Sequence, residues 1–385
     1  MLTINGRVRL LRRRWHSSGE GTSTPLDAWL DAAEATISVG VRELACLLNS
    51  GGSNFDRAAA NLARAAQVTL SGETLRQVVE AEGRQVLRAQ QAGTVPVGWT
   101  AADCVTPTDD KTAPGPTRVY LGSDGVQVPL VTSAEKKARR QKVKAQRRQR
   151  GKKARPLPPA RPGAEQAYQE FKLVVYYDET QTHRLVAGTK GNHEVAGRLM
   201  RHQAARIHLD QADEKVGNVD GAPWIRNQVE RQNLPLDALG LDFYHLAENV
   251  HKARRAVYGE ENAAGQEWVG PILHTFKHEG YDAAWEQLLT WRRQWRSRTK
   301  RQAIDQLLGY VSERRDMIRY AEFQKRGWQI GSGPTEGQCK TLSARLKGSG
   351  MRWDAANAEA VMALEALHQS GQWQGYWPSQ LRQAG

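Results

Sequence analysis

Three acidic residues stand in short motifs that suit phosphoryl chemistry: Asp124 in SDG, Asp220 in VDGAPWI and Glu336 in GSGPTEGQCK. Each aspartate follows an apolar or β-prone run and precedes a glycine, and the glutamate lies just past a Gly-Ser-Gly turn. Carboxylates at strand ends or at a helix start can converge on a metal. Three of them meet the needs of a two-metal centre, in which one ion activates the attacking oxygen and the other stabilises the leaving oxygen, about 3.5–4 Å apart. Mg²⁺, or Mn²⁺ in its place, suits such a site because it takes a few carboxylates and leaves its other positions to water and phosphate.

Two further residues fall in the same stretch of chemistry. LDFYHL holds Asp242 and His245 three positions apart. The histidine can contact a phosphate or orient a metal ligand, and the aspartate can fix its tautomer or hold the strand end. A structural histidine capping a helix is the plainer alternative. Glu248, one helical turn on, reads as a solvated helix acid.

Basic residues surround the acids. Lys340 is four residues after Glu336, on the same helical face. Arg345 and Lys347 lie in ARLKGSG, where glycines let backbone approach phosphates. Such side chains contact phosphates without reading sequence. Trp224, Trp328 and Trp353 flank the three motifs and either stack on unpaired bases or anchor the core.

Composition points the same way. Lys plus Arg is 55 against 41 for Asp plus Glu, a net charge of +14, which favours a polyanionic partner and nucleic acid first. From residue 134 to 162, thirteen Lys or Arg face one Glu. That run includes Arg139, Arg140, Arg147 and Arg148. It is too charged to pack as core, so a solvated helix or a disordered phosphate-binding arm is expected, or an insertion with no specific role. Cys46, Cys104 and Cys339 are far apart, which argues against a disulfide framework and a cysteine-built zinc site. With no apolar run of about 18 residues and no apolar core in MLTINGRVRLLRRRW, neither a membrane span nor a signal peptide is read, and a cytoplasmic protein is expected.

The elements that must position these residues follow from periodicity. Residues 1–16 alternate like a ribbon edge. Residues 26–92 are helical, with one helix near 55–66 and a second near 72–90. Ala59, Leu62 and Ala63 give the first an apolar face, and Leu75, Val78 and Val79 the second, with Ser71 placed to cap it. The pair reads as a helix-turn-helix whose second helix, carrying Arg76, enters a major groove, or as an ordinary αα-hairpin. Residues 96–117 read as a linker. TRVYLGSDGVQVPLVT reads as two short strands around a turn at Asp124 and Gly125. FKLVVYYDE and THRLVAG are strands, and EVAGRLMRHQAARIHL is a helix. KVGNVDG is a strand ending at Asp220, and APWIRNQVERQ starts a helix. ALGLDFYHLAENV is a strand running into a helix. Residues 118–250 thus read as mixed α/β, with the basic insertion at 134–163. Residues 251–325 read as all-helical, and 326–385 as a turn with closing helices.

From Gly6 to Trp377 the chain resembles bacterial insertion-sequence transposases of the DDE type, close to the ISKra group. The resemblance rests on PLDAWL, SDGVQVPL, VDGAPWI, LDFYHLAENV, the GSG-x-x-E turn and RLKGSGMRW, in that order. It implies a ribonuclease-H-like mixed sheet core with an all-α insertion and an N-terminal DNA-binding region over residues 1–95. In such cores the first carboxylate lies on the first strand, the second just after the fourth, and the third on a late helix. It also implies metal-dependent cleavage at element ends, transfer of the 3′-OH into target DNA, and a homo-oligomer assembled on DNA ends. Asp242 and His245 match a Cys/Asp-x-x-His motif of related transposases. The chain departs in two places. WHSSGEGTSTPLD lacks the cysteines of a zinc ribbon, and PTEGQ lacks the more usual valine before and serine after the glutamate. A catalytically inactive DNA-binding relative and a structure-selective nuclease on the same fold remain as alternatives.

Overall fold

The structure is a computed structural model that describes residues 1–11, 13–19, 21–24, 36–52, 54–108, 112–149 and 156–382. The PLDAWL motif and Arg150, Lys152, Lys153 and Arg155 of the basic run lie outside the described residues. The core is a five-stranded sheet: β1 (Arg118–Pro129), β2 (Tyr168–Asp178), β3 (Arg184–Thr189), β4 (Glu214–Val219) and β5 (Ala238–Leu241). Its order is β3-β2-β1-β4-β5, antiparallel among the first three and parallel from β1 to β5. Two small antiparallel ribbons, Leu2–Thr3 with Gly6–Arg7 and Trp15–Ser17 with Gly21–Ser23, precede it.

The helices are α1 (Val39–Ser50), α2 (Phe55–Ala66), α3 (Gly72–Gln91), α4 (Ser133–Gln149), α5 (His193–Arg206), α6 (Pro223–Arg231) and α7 (Phe243–Tyr258). They continue with α8 (Ala263–His278), α9 (Tyr281–Gln294), α10 (Arg298–Glu313), α11 (Tyr320–Lys325), α12 (Gly333–Ala344), α13 (Ala355–Gln369) and α14 (Trp373–Arg382). Among the described residues, none of these is long and apolar enough to cross a membrane.

Alternation along the strands divides the interior in two. Tyr120, Val126 and Val128 of β1 join Leu173, Val175 and Tyr177 of β2 in a core with α1, α2, α3, α12 and α13. Val119 and Leu121 join Val174 and Tyr176 in a second core with α5, α6, α7 and the helices of 263–313. Helices therefore cover both faces of a mixed sheet.

Four sequence expectations are corrected or refined. Residues 118–129 form one strand, not two around a turn. β1 pairs with β2 without a break from Val119↔Asp178 to Pro129↔Tyr168. Its glycines serve close approach instead. Part of the expected linker at 96–117 packs: among its described residues, Trp99, Ala101, Cys104 and Thr106 are buried. Ala101 N–H donates to Ile207 O at 2.7 Å, and Arg118 N–H donates to Cys104 O at 2.8 Å. The α2–α3 pair forms as expected, with Ser71 Oγ accepting from Thr74 N–H at 3.1 Å. However, α3 buries Leu75, Val79 and Val86 in the core shared with α13, and Arg84 donates to Asn357 Oδ1 at 3.0 Å. Only its outer face is open to a partner. Finally, the first part of the basic run forms a helix, α4 (Ser133–Gln149), with no buried residue.

Candidate metal centre

The sheet registers place the acidic motifs. β1 runs parallel to β4 from Arg118↔Glu214 to Leu121↔Gly217, and β4 to β5 from Val216↔Ala238 to Val219↔Leu241. Carried three residues past Leu121, the first register sets Asp124 level with Asp220. Carried one residue past Val219, the second sets Asp220 level with Asp242. Neighbouring strands lie about 4.8 Å apart, so the three aspartates form a row across adjacent strands.

Asp124 belongs to the face of β1 that carries Gly122 and Val126, the face covered by α12. That helix lies close to the strand. Cys339, one turn after Glu336, faces Asp124, and burial first and then that carboxylate push the Cys339 thiol up. Gly125 N–H donates to Asp124 Oδ1 at 2.6 Å. Asp220 leaves β4 at Gly221, whose φ of +79° favours glycine. Ala222 N–H donates to Asp220 Oδ1 at 2.8 Å, and Arg314 from the end of α10 donates to Gly221 O at 3.1 Å. Burial raises the Asp220 carboxyl above its ordinary value against the Ala222 hydrogen bond, and the Asp124 charge raises it further.

Asp242 is fully buried and caps α7, its Oδ1 accepting from His245 N–H at 2.9 Å. Its Oδ2 accepts from Ser332 N–H, and Phe243 N–H donates to Ile330 O at 2.9 Å. Two hydrogen bonds therefore fasten the start of α7 to the turn before Glu336. His245 Nδ1 lies 3.3 Å from Asp242 Oδ1, near enough for charge pairing but off the direction of a hydrogen bond. Asp242 raises the imidazole to about 9 against the cost of burial. Burial would raise Asp242 in turn, but His245 and Ser332 outweigh it and hold the carboxyl at about 2.

One ligand atom each from Asp242, His245 and Glu336 lie within 4.8 Å of one another, the metal-type cluster among the described residues. This trio is not the expected Asp124, Asp220 and Glu336; it ties Glu336 to the Asp-x-x-His pair. A charged imidazole must lose its proton to ligate, and both Asp242 oxygens already accept backbone N–H groups. Hard oxygens remain on Asp124, Asp220 and Glu336, which suit Mg²⁺ or Mn²⁺. The repulsion between Asp124 and Asp220 is a further mark of fit, since a bound cation relieves it.

The basic residues fare differently. Lys340 and Lys347 are exposed on and just past α12. Arg345 is corrected: it is 4 % exposed, donates to Asn49 Oδ1 at 3.0 Å and stacks on Phe55 at 4.5 Å, so it holds α12 to α1 and α2 rather than meeting solvent. Burial lowers its guanidinium to about 10. Arg76 is paired within its own helix. It donates to Glu73 at 2.6 Å and to Glu80 at 2.7 Å, so two carboxylates offset its charge.

On α4, Arg139 and Arg148 are exposed and Arg147 half-buried, while Arg140 donates to Pro158 O at 2.6 Å and pins the returning chain. Trp328 and Trp353 are buried core anchors. Trp224 is half-buried, with its ring stacked on His193 at 5.1 Å and Lys172 above it at 4.8 Å. Sequence reasoning missed Arg314, which is one arginine among many in a helical stretch. It also missed Thr335, whose only signal is its place before Glu336.

The chain matches no known protein-family model and no curated protein.

Proposed function

We propose that this protein is a divalent-metal-dependent DNA strand-cleaving and strand-transferring enzyme of the DDE transposase kind, built on a ribonuclease-H-like core. The observation that carries the reading is the juxtaposition of Asp124 on β1 with Asp220 and Asp242, each one residue past the end of β4 or β5, with Glu336 of α12 beside Asp242. A carboxylate on the first strand, one just after the fourth and one on a late helix is the arrangement that the sequence resemblance implies. The helices of 263–313 fall where an all-α insertion would interrupt such a core.

Bound divalent cations would supply activation of the attacking oxygen and stabilisation of the leaving oxygen. Asp124, Asp220 and Glu336 would hold them. Asp242 favours the charged form of His245, so the imidazolium can offer a hydrogen bond and a positive charge to a phosphate oxygen. Arg314 fixes the carbonyl of Gly221 and so the loop that presents Asp220. Attack by water and then by a DNA 3′-OH requires no covalent protein intermediate. Lys340, Lys347 and the outer residues of α4 would meet phosphates, and pairing of two DNA ends would call for a second copy of the chain.

The test is cleavage of a supercoiled plasmid that carries the DNA flanking the gene. Mg²⁺- or Mn²⁺-dependent cuts at those ends, absent in Asp220→Ala, support the reading. Binding without cuts in either metal replaces it with an inactive DNA-binding relative. Cuts without joining to target DNA replace it with a nuclease.

A further inference from the structure

The outer face of α7 begins at the carboxylate centre and takes no part in it. Tyr244, between Phe243 and His245, is 69 % exposed, the most exposed aromatic ring among the described residues. Its place is fixed from behind. Phe243 meets it edge-on at 6.4 Å and is itself held by Tyr320 at 5.2 Å. A β-carbon at Gly331 would stand 3.6 Å from the Tyr244 ring, so the ring lies against the turn that leads to Glu336. An apolar disc thus faces solvent beside His245.

Further along α7 the exposed charged positions are Glu248, Lys252 and Arg255, spaced as one helical stripe. With Asn249 and His251 they line a cleft of about 460 Å³. Arg255 is 4.0 Å from Glu260, and an exposed pair at that distance holds it weakly. Lys277 of α8, over Phe243 at 5.9 Å, adds a third cation at the start of the stripe. Glu248 is the one acid of the cleft, and its charge also acts on His245.

An aromatic ring followed by cations along a helix fits a strand of nucleic acid whose bases are free to stack. We propose that Tyr244 stacks on a base unpaired from the duplex beside the cut, and that Lys252 and Arg255 hold phosphates of the same strand along α7. The inference rests on the DNA-cleaving reading above. It assigns the stacking role to Tyr244, since Trp328 and Trp353 are buried and the half-buried Trp224 already meets His193 and Lys172.

The test uses the full chain in Ca²⁺ with two labelled DNAs, a fully paired duplex and the same duplex with a short unpaired tail carrying 2-aminopurine. Affinity is read by anisotropy, and stacking by quenching of the 2-aminopurine. Tyr244→Ala weakens binding of the tailed DNA roughly tenfold and abolishes quenching, while Tyr244→Phe retains both. Binding of the paired duplex is unchanged in both variants. Lys252→Ala with Arg255→Ala lowers the salt slope on tailed DNA by about 1.4. Equal affinity and quenching for Tyr244→Ala and the parent chain overturn the proposal while leaving the DNA-cleaving reading intact. Failure of the parent chain to bind either DNA overturns both.

Discussion

Thr335 rests its hydroxyl in the space that Gly122 leaves open: a β-carbon on residue 122 would stand 1.7 Å from Thr335 Oγ1. This contact sets how near α12 comes to β1, and so how near Glu336 comes to Asp124. Gly122→Ala is expected to destabilise the fold by about 1–3 kcal/mol, as overpacking does. Metal-dependent cleavage is expected to fall about 10²-fold, since a displacement near 1 Å is enough for that. Adding Thr335→Gly to Gly122→Ala restores cleavage more than stability, because the helix then carries a glycine near its start. No recovery in the double variant would separate this contact from the placing of Glu336.

Asp220→Asn removes a half-buried charge that faces Asp124. The metal-free protein is expected to gain about 0.5–2 kcal/mol, the usual exchange of function for stability at a strained site. Mg²⁺ is expected to raise the melting temperature of the parent chain and not of the variant. Calorimetry with and without Mg²⁺ reads both. A variant that melts earlier than the parent without metal would mean that Asp220 is a structural acid.

The α4 arm offers a cleaner separation of binding from folding. Replacing exposed Lys137, Arg139, Lys142, Lys144 and Arg148 by Gln disturbs no buried side chain. Stability should stay within about 0.5 kcal/mol. The slope of log K against log salt for duplex DNA should become shallower by about 0.9 for each phosphate that the arm no longer neutralises. An unchanged slope would leave the arm without a part in binding.

The three thiols should be silent in the native chain. Burial, reinforced by the charges of Asp178 and Asp103, pushes Cys104 up to about 12, and burial first raises Cys46 and Cys339 too. A folded-state value above the ordinary 8.5 means that the thiolate, the reactive form, is absent through pH 7–9.5. Ellman's reagent is expected to count no thiol in buffer and three in denaturant. Fast reaction of any one below pH 9 would show that its element opens.

Much of the fold was legible because its signals are local. The β-prone run FKLVVYYDE forms a strand, Ser71 caps its helix, and the strand read as ending at Asp220 stops one residue earlier, at Val219. What escaped depends on residues distant in sequence. Gly125 reads as a turn beside Asp124, but the strand continues because Gly122 accommodates Thr335 and Gly125 accommodates Glu170. Proline and threonine at 96–117 suggest a linker, while Trp99, Ala101 and Cys104 within it anchor its first part in the core. Arg345 resembles a phosphate ligand until Asn49, 296 residues away, is found to hold it. The Asp242–His245 pair was visible locally. Its tie to Ser332, across 90 residues, was not.

The packed start of the strap at 96–117, around Trp99 and Cys104, and the seam between α3 and α13 change what the N-terminal helices can do. They are not a hand on a tether. Whatever they hold stays at one set distance from the carboxylates, because α3 packs along α13 in the core they share. On DNA, such a body would act as a ruler, counting base pairs from its grip to its cut. Inserting a few residues into the strap would blur that count before it weakened the grip.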